Sequence, residues 1–350
     1  MKNLSVLTYL LKKLLRMLLT ILLVTTIIFF LIRLMPSNPI DRYIEDQMVQ
    51  YGISYAEAKN RAATLFSMDL DQPMYQQYFA YLGNVLRLDF GDSLLSPGVS
   101  VMEIIATRLP WTLFTVGGGL ILSFILGIVI GAVMAFKRDR WYEPIVTGIA
   151  SFLSAIPDFL IAICLILIFG VVRWNGESTI LPIAMMRGTY SMQMKPGWNM
   201  EFVLDVLMHG MIPILTYMLS QLGVWVLLMK TCTTSCLNTD YVTMAKIRGL
   251  SSGKVLFSYI GRNALLPITT EFFMRLGFIV GGALIIEQLF VYQGIGLELL
   301  RATNGRDYPM MQGIFLVMSI AIVLCNFLAE VLYAVLDPRI KTGGAAKNGK

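Results

Sequence analysis

Hydrophobic residues along this chain gather in long runs that alternate with polar segments. The hydrocarbon core of a membrane is about 30 Å thick, and a helix needs roughly 20 apolar residues to cross it. Six runs reach that length, at residues 11–35, 111–136, 145–172, 206–229, 272–292 and 310–336. The pattern predicts an all-α integral membrane protein with six transmembrane helices.

The first run is predicted to stay in the membrane as an anchor. It exceeds the 7–15 apolar residues typical of a signal peptide, and Arg-Leu-Met-Pro follows it instead of a small-residue cleavage site. The next segment, 36–110, is too long for a simple turn, and residues 55–66 and 73–86 within it have the spacing of amphipathic helices. We therefore expect a small helical extracellular domain between spans 1 and 2.

Charge changes the picture by orienting the spans. Only 14% of residues are charged, compared with about 25% in soluble domains. Sixteen Lys and Arg lie in the N-terminal stretch and in the connections 137–144, 230–271 and 337–350, against ten in the other three connections. Basic residues favour the cytoplasmic side, so both termini are predicted to be cytoplasmic. The net charge of +6 then follows from topology, and no nucleic-acid partner is expected.

These observations divide the chain into parts. We expect a cytoplasmic N-terminus with the first span, an extracellular helical segment, a core of spans 2–6 that contains a cytoplasmic loop, and a cytoplasmic tail. In that order the parts are residues 1–35, 36–110, 111–336 (with its loop 230–271) and 337–350.

A basic, glycine-punctuated stretch from Tyr241 to Pro267 lies inside that loop. Gly249 suits a left-handed turn between two helices, and Pro267 suits the first turn of the helix that follows. This predicts a helix–glycine–helix hairpin on the wet face of the protein, which is typical of a docking surface. Candidate caps are Asn238, Thr239, Asp240, Ser251 and Ser252; the predicted faces are Tyr241, Met244, Ala245 and Arg248 on the first helix and Val255, Leu256, Tyr259 and Ile260 on the second.

The residues for catalysis are missing from the sequence. His209 is the lone histidine, no G-x-S-x-G elbow occurs, and the four cysteines do not have the spacing of a zinc site. The stretch from Gly249 to Lys254 imitates a phosphate-binding loop, but it has three residues between its glycines instead of four, and Val255 follows the lysine. We therefore expect no enzyme activity, cofactor or metal, and no ATP binding by this chain alone.

Three acidic residues lie in or beside apolar runs, where a charge costs at least a few kcal/mol and is seldom idle. Asp158 follows a helix-breaking Pro157 near the membrane boundary, and Glu287 and Glu330 lie well inside runs. Each is a candidate for the transport pathway. The alternatives are a helix cap for Asp158 and an ion pair or polar helix contact for the two glutamates.

Short motifs in order along the chain carry a family resemblance. The loop Tyr241-Val-Thr-Met-Ala-Lys-Ile-Arg-Gly-Leu250 is followed at the expected separation by Leu266-Pro267. It resembles the cytoplasmic loop of permease subunits in binding-protein-dependent ABC importers, and most of all the dipeptide, oligopeptide and nickel branch. The likeness extends over about residues 9 to 341. Further matching motifs are Arg33-Leu-Met-Pro36, Leu70-Asp-Gln-Pro73, Asp89-Phe-Gly91 with Ser93, Ala155-Ile-Pro157, Arg306-Asp-Tyr-Pro309 and Leu336-Asp-Pro-Arg339.

The resemblance implies a type I importer in a plasma or inner membrane. This chain would be the multi-pass permease, working with a second homologous permease, two cytosolic ABC ATPase subunits and an extracellular or periplasmic substrate-binding protein. Peptides would be the cargo, with nickel complexes, glutathione or oligosaccharides as alternatives. The residues implied to couple it to the ATPase are Tyr241, Val242, Ala245, Gly249, Leu250, Leu266 and Pro267.

The chain departs from the family pattern at several positions. Met244 and Ile247 replace small residues, and Gln293 replaces the proline usual before Gly294-x-Gly296. These departures bear on partner contacts more than on the fold.

A rival hypothesis from another functional class is a self-contained secondary transporter or channel. Such proteins often have internal repeats and several charges at mid-membrane.

Overall fold

The first half of the chain forms helices joined by short connections. A computed structural model describes residues 2–33, 39–65, 72–138, 140–174, 178–237, 239–279 and 284–336. Its first elements are α1 (Lys2–Arg33), α2 (Pro39–Tyr51), α3 (Tyr55–Leu65), α4 (Met74–Leu86), α5 (Val101–Thr112), α6 (Gly118–Phe136), α7 (Tyr142–Ala155), α8 (Asp158–Ile166), β1 (Arg173–Trp174) and β2 (Ser178–Thr179).

The second half is also helical. π-helical turns at Leu113–Gly117, Leu167–Val171 and Val255–Gly261 join or extend neighbouring helices, and β1 pairs with β2 in antiparallel register, Arg173 opposite Thr179. After a 3₁₀ turn (Ile183–Met186) come α9 (Met200–Leu237), α10 (Asp240–Ile247), α11 (Ser252–Lys254), α12 (Arg262–Ile279), α13 (Leu284–Leu289), α14 (Ile295–Gly305) and α15 (Tyr308–Leu336).

Four helical stretches among the described residues are long and apolar enough to cross a membrane, and a bent pair makes a fifth. The predicted run 145–172 is therefore not one straight helix, since α7 and the following helix to Val171 meet at 102° around Pro157. The predicted run 272–292 begins within α12, but residues 280–283 lie outside the described part. The four stretches are Leu11–Leu31, Val101–Phe136, Met200–Leu237 and Tyr308–Leu332.

Helix α9 is the centre of the bundle and packs against α6, α7, α8 and α12. Glycines permit the closest approaches, because small residues let helix backbones come together. A Cβ placed on Gly127 would lie 2.3 Å from the Cβ of Trp225, and one on Gly277 would lie 2.8 Å from the Cα of Ile322. A larger side chain at either glycine would therefore force the two helices apart.

The segment between α1 and α6 has its own small core. Helices α3 and α4 confirm the two predicted amphipathic helices, and Pro73 is the N-cap of α4. Helix α2 was not predicted, since its sequence is polar and short. The core residues that join α2 to α3 are Ile40, Ile44, Ala58, Ala62 and Leu65.

Asp307 ties this segment to the last helix. Its buried carboxylate accepts hydrogen bonds from the Ser93 hydroxyl and the Leu95 amide, and from the Met310 amide in the first turn of α15. Three hydrogen bonds compensate the cost of burying a carboxylate. The two sequence motifs that contain Ser93 and Asp307 are thus partners in the fold.

Candidate docking surface and intramembrane polar groups

Helix α10 begins after Thr239, but the predicted side-chain cap is wrong. Thr239 is the N-cap residue, but its hydroxyl accepts no hydrogen bond from the first amides of α10 and instead donates to the carbonyl of Cys236 at 2.6 Å. The reason is competition, because the last carbonyls of α9 are also without helical partners. Asp240 instead lies in the first turn, where its charge complements the helix dipole. Asn238 lies outside the described residues, and Ser251 caps α11 without a side-chain hydrogen bond.

Gly249 ends α10 in a Schellman motif. Its φ is +70°, the Leu250 amide donates to the Ala245 carbonyl at 3.3 Å, and the Gly249 amide donates to the Lys246 carbonyl at 2.9 Å. Only glycine adopts this backbone conformation without steric cost. The predicted left-handed turn is confirmed, and it fixes the direction in which the chain leaves α10.

The four residues predicted to share one face of α10 do not share one environment. Val242 is 0% exposed and Ala245 is 2% exposed, whereas Met244 is 62% exposed and Ile247 is 74% exposed. Tyr241 is also exposed, although its hydroxyl accepts a hydrogen bond from Asn263 at 3.0 Å. Helical spacing places residues on a common face, but only packing decides which part of the helix surface is covered.

The second arm of the hairpin is the short α11 followed by a π-helical turn, and part of its predicted face packs inward. Val255 and Ile260 are buried in one cluster with Val242 and Ala245, and the partly buried Tyr259 and Leu250 pack against it, whereas Leu256 is not in the cluster. This cluster attaches the hairpin to the base of α9 and α12, through Met229 and Ala264 among others.

Pro267 is not in the first turn of the following helix. It lies inside α12, which already begins at Arg262, and it is exposed. A proline within a helix leaves the carbonyl four residues earlier without its amide partner. Leu266 and Pro267 lie outside the buried cluster that gathers Val242, Ala245 and Leu250, so the structure brings together only part of the predicted coupling set.

Asp158 is the first residue of α8 and does not cap it, since the N-cap is Pro157. Its side chain is half-buried and lines a cavity together with Arg275. Arg275 donates hydrogen bonds to Glu271 and to Gln221. Glu271 and Arg275 carry opposite charges four residues apart, which is the spacing of an ion pair along a helix. This spacing was the signal in the sequence that could have suggested the contact.

Glu287 makes a buried polar contact between helices. It is 1% exposed, and its oxygens accept from the Thr112 hydroxyl at 2.8 Å and from the Leu297 amide at 2.9 Å. The Thr112 hydroxyl in turn accepts from the Ile295 amide at 2.8 Å. Glu287 and Thr112 together therefore satisfy free amides at the N-terminus of α14. This geometry matches the structural alternative for Glu287.

Glu330 forms an ion pair with Lys13 of α1 at 2.7 Å, and its side chain is 46% exposed. The ion-pair alternative fits Glu330.

His209 is buried, and its Nδ1 lies 2.8 Å from the carbonyl of Asp205 on the same helix. Within the described part of the chain, His, Cys, Asp and Glu form no group of three or more that could hold a metal ion.

The fold and these groups define a polytopic helical membrane protein with a helical hairpin at one end of its bundle. Residues 127–342 match the family described as binding-protein-dependent transport system inner membrane component. The chain belongs to this family. It is the membrane permease component of an ABC importer and not an enzyme, because ATP hydrolysis in these importers lies in separate subunits.

Individual relatives cover nearly the whole chain. A protein of Brucella suis biovar 1 (strain 1330) with the provisional name of a peptide permease is 32% identical over 318 residues, 91% of this chain and 93% of that protein. The di/tripeptide transport system permease protein DppB of Pseudomonas aeruginosa is 29% identical over 332 residues, 92% of this chain and 95% of DppB. The glutathione transport system permease protein GsiC of Salmonella choleraesuis is 28% identical over 335 residues, 96% of this chain and 99% of GsiC.

Proposed function

We propose that this chain translocates peptides into the cytoplasm as one of two homologous permeases of an ATP-driven importer. Support comes from relatives that are named for peptide, di/tripeptide and glutathione transport and that match this chain almost end to end. In the proposed assembly, an extracellular or periplasmic binding protein delivers the peptide, and two cytosolic ATPases drive its passage.

The proposed topology has six spans. The bent pair α7–α8 is the third span, and α12 with α13 forms the fifth. Both termini are cytoplasmic, and the helical segment 36–110 covers the extracellular mouth. The distribution of Lys and Arg supports this orientation. On this topology the hairpin around Gly249 faces the cytoplasm.

One observation carries the proposed coupling to the ATPase. Met244 and Ile247 are large apolar side chains exposed on α10, beside the exposed Lys246 and Arg248. Exposed apolar side chains next to charged ones, on the part of a membrane protein that lies outside the bilayer, are typical of a partner interface. The buried cluster and the Gly249 turn hold this face rigidly, so movement of an attached ATPase would be transmitted to α9 and α12.

The coupling is tested by adding a charge to this face. Ile247→Glu should abolish co-purification of the ATPase subunits, because a carboxylate would be desolvated in an apolar interface. The matched control is Val49→Glu, which places the same charge at an 87% exposed apolar residue of α2 in the predicted extracellular segment. Equal recovery of ATPase with both variants would contradict the proposed docking face.

The cargo and the rival class need separate measurements. Restored growth on a dipeptide, on an oligopeptide or on glutathione in a strain lacking its own peptide importers would show which solute is carried. Uptake by the purified chain alone in liposomes, without ATPase subunits, would instead support a self-contained secondary transporter or channel.

A further inference from the structure

A cavity of about 220 Å³ lies beside the break between α7 and α8. Asp158, Tyr217, Gln221 and Arg275 supply its polar lining, and apolar side chains such as Leu120 supply the rest. Ligand sites usually hold about 300–1,000 Å³. This cavity is therefore large enough for one polar end of a small molecule, with the remainder outside it.

Arg275 is fixed in position at this cavity. Its Nε lies 2.9 Å from Oε1 of Glu271, its Nη1 donates to Oε1 of Gln221 at 2.6 Å, and its guanidinium lies 5.3 Å from the ring of Trp225. Three contacts on one guanidinium restrict its rotamers and orient its planar array of donors. Among the described residues, Nη2 keeps no partner, so it is available to a carbonyl or carboxylate oxygen.

Asp158 has the opposite character. It is half-buried at the start of the strongly apolar α8, and within the described part of the chain its carboxylate forms no ion pair. The adjacent helix N-terminus favours its negative charge but supplies no counter-ion. An uncompensated carboxylate in an apolar span is costly and usually functional.

The two groups together match the chemistry of a peptide's amino-terminal end. We propose that the cavity is a binding site on the transport path for that end, with Asp158 accepting hydrogen bonds from the α-ammonium group and Arg275 donating to the first carbonyl oxygen. Every peptide with a free amino terminus carries an α-ammonium group and a first carbonyl oxygen, whatever its sequence. The site would therefore accept peptides as a class, and the side chains of the peptide would lie outside the cavity, in the central path. This inference rests on the proposed peptide transport.

The test uses the complete importer, with partner permease, ATPases and binding protein, reconstituted in liposomes and supplied with radiolabelled trialanine. Asp158→Asn should lower the uptake rate by at least about tenfold, because the substrate's ammonium group would lose its charged partner. The matched control is Glu201→Gln, which neutralises an exposed carboxylate in the first turn of α9. Stimulation of ATP hydrolysis by loaded binding protein should persist in both variants.

A second measurement removes the binding protein's own selectivity. Trialanine at millimolar concentration should raise the thermal unfolding midpoint of the permease–ATPase complex, because a ligand of the native state stabilises it. N-acetyl-trialanine should raise it far less, and Asp158→Asn should abolish the difference between the two peptides.

The outcomes separate the two proposals. Wild-type trialanine uptake with unchanged uptake in Asp158→Asn, or equal stabilisation by free and acetylated peptide, overturns the site and leaves peptide transport standing. Failure of the wild-type importer to take up any peptide overturns both proposals. Loss of trialanine uptake together with loss of binding-protein-stimulated ATP hydrolysis assigns Asp158 a structural role and also overturns the site.

Discussion

Helices α8 and α10 are both short, and each follows a bend between helices. One places a charged residue among apolar ones, and the other exposes apolar residues to water. Helix α10 exposes Met244 and Ile247, and α8 begins with the half-buried carboxylate of Asp158 although the rest of that helix is apolar. Each arrangement is a conflict between the polarity of a side chain and its environment. Such conflicts concentrate at functional sites. The comparison therefore distinguishes the proposed docking face, an apolar surface exposed to water, from the proposed solute-binding group, a half-buried carboxylate without a counter-ion.

Breaking the buried face of α10 should have the largest effect. Ala245→Glu puts a charge where 2% of the residue is exposed, and an uncompensated buried charge costs about 3–5 kcal/mol. We expect amide hydrogen exchange across α10 to lose its protection, with loss of ATPase binding. The matched variant Met244→Glu should also lose ATPase binding, but the amides of its α10 should stay protected from hydrogen exchange. Equal protection in both would mean that the two faces of α10 are not distinct.

Straining the turn after α10 should have the next largest effect. Gly249→Val forces a β-branched residue to a φ of +70°, at a cost on the order of 1–2 kcal/mol. Peptide uptake should fall several-fold while the amount in the membrane stays unchanged. Gly253→Val is the control, because a Cβ meets nothing within 4 Å at either glycine but only Gly249 has a positive φ. Normal uptake by Gly249→Val would show that the turn is dispensable.

A milder change sharpens the α8 side. Arg275→Lys keeps the charge but loses the planar donor array that engages Glu271 and Gln221 together. We expect a few-fold higher peptide concentration for half-maximal uptake, with membrane insertion intact. Gln221→Asn is a useful comparison, since it shortens one partner without touching the charge. A kinetic profile identical to wild type would remove Arg275 from the proposed site.

The smallest effect is expected at Glu330, which contrasts with Asp158 because it has a cationic partner. Its ion pair with Lys13 is partly exposed, and such pairs contribute about 0–1 kcal/mol. Glu330→Gln should therefore leave peptide uptake within about twofold of wild type. A large loss of uptake with unchanged protein level would instead return Glu330 to the transport pathway.

Some of these features could be predicted from particular residues. The turn at Gly249 follows from the conformational freedom of glycine, and the break at Pro157 follows from its missing amide. The N-cap at Thr239 could be placed, but its hydroxyl bond could not, since the end of α9 competes for it. Periodicity offered two faces for α10 and could not choose between them. The hydrogen bonds from Ser93 to Asp307 and from Thr112 to Glu287 join residues far apart in the chain, and no local sequence pattern predicts them.

The sequence by itself determined the membrane class, the helical hairpin, the left-handed turn and the family resemblance, because these depend on hydrophobic run length and on local backbone chemistry. Tertiary structure alone decided that Val242 and Ala245 are covered while Met244 and Ile247 are not, that Glu330 is paired, and that Asp158 shares a cavity with Arg275. Those outcomes depend on which helices pack together, and packing joins side chains whose separation along the chain carries no signal.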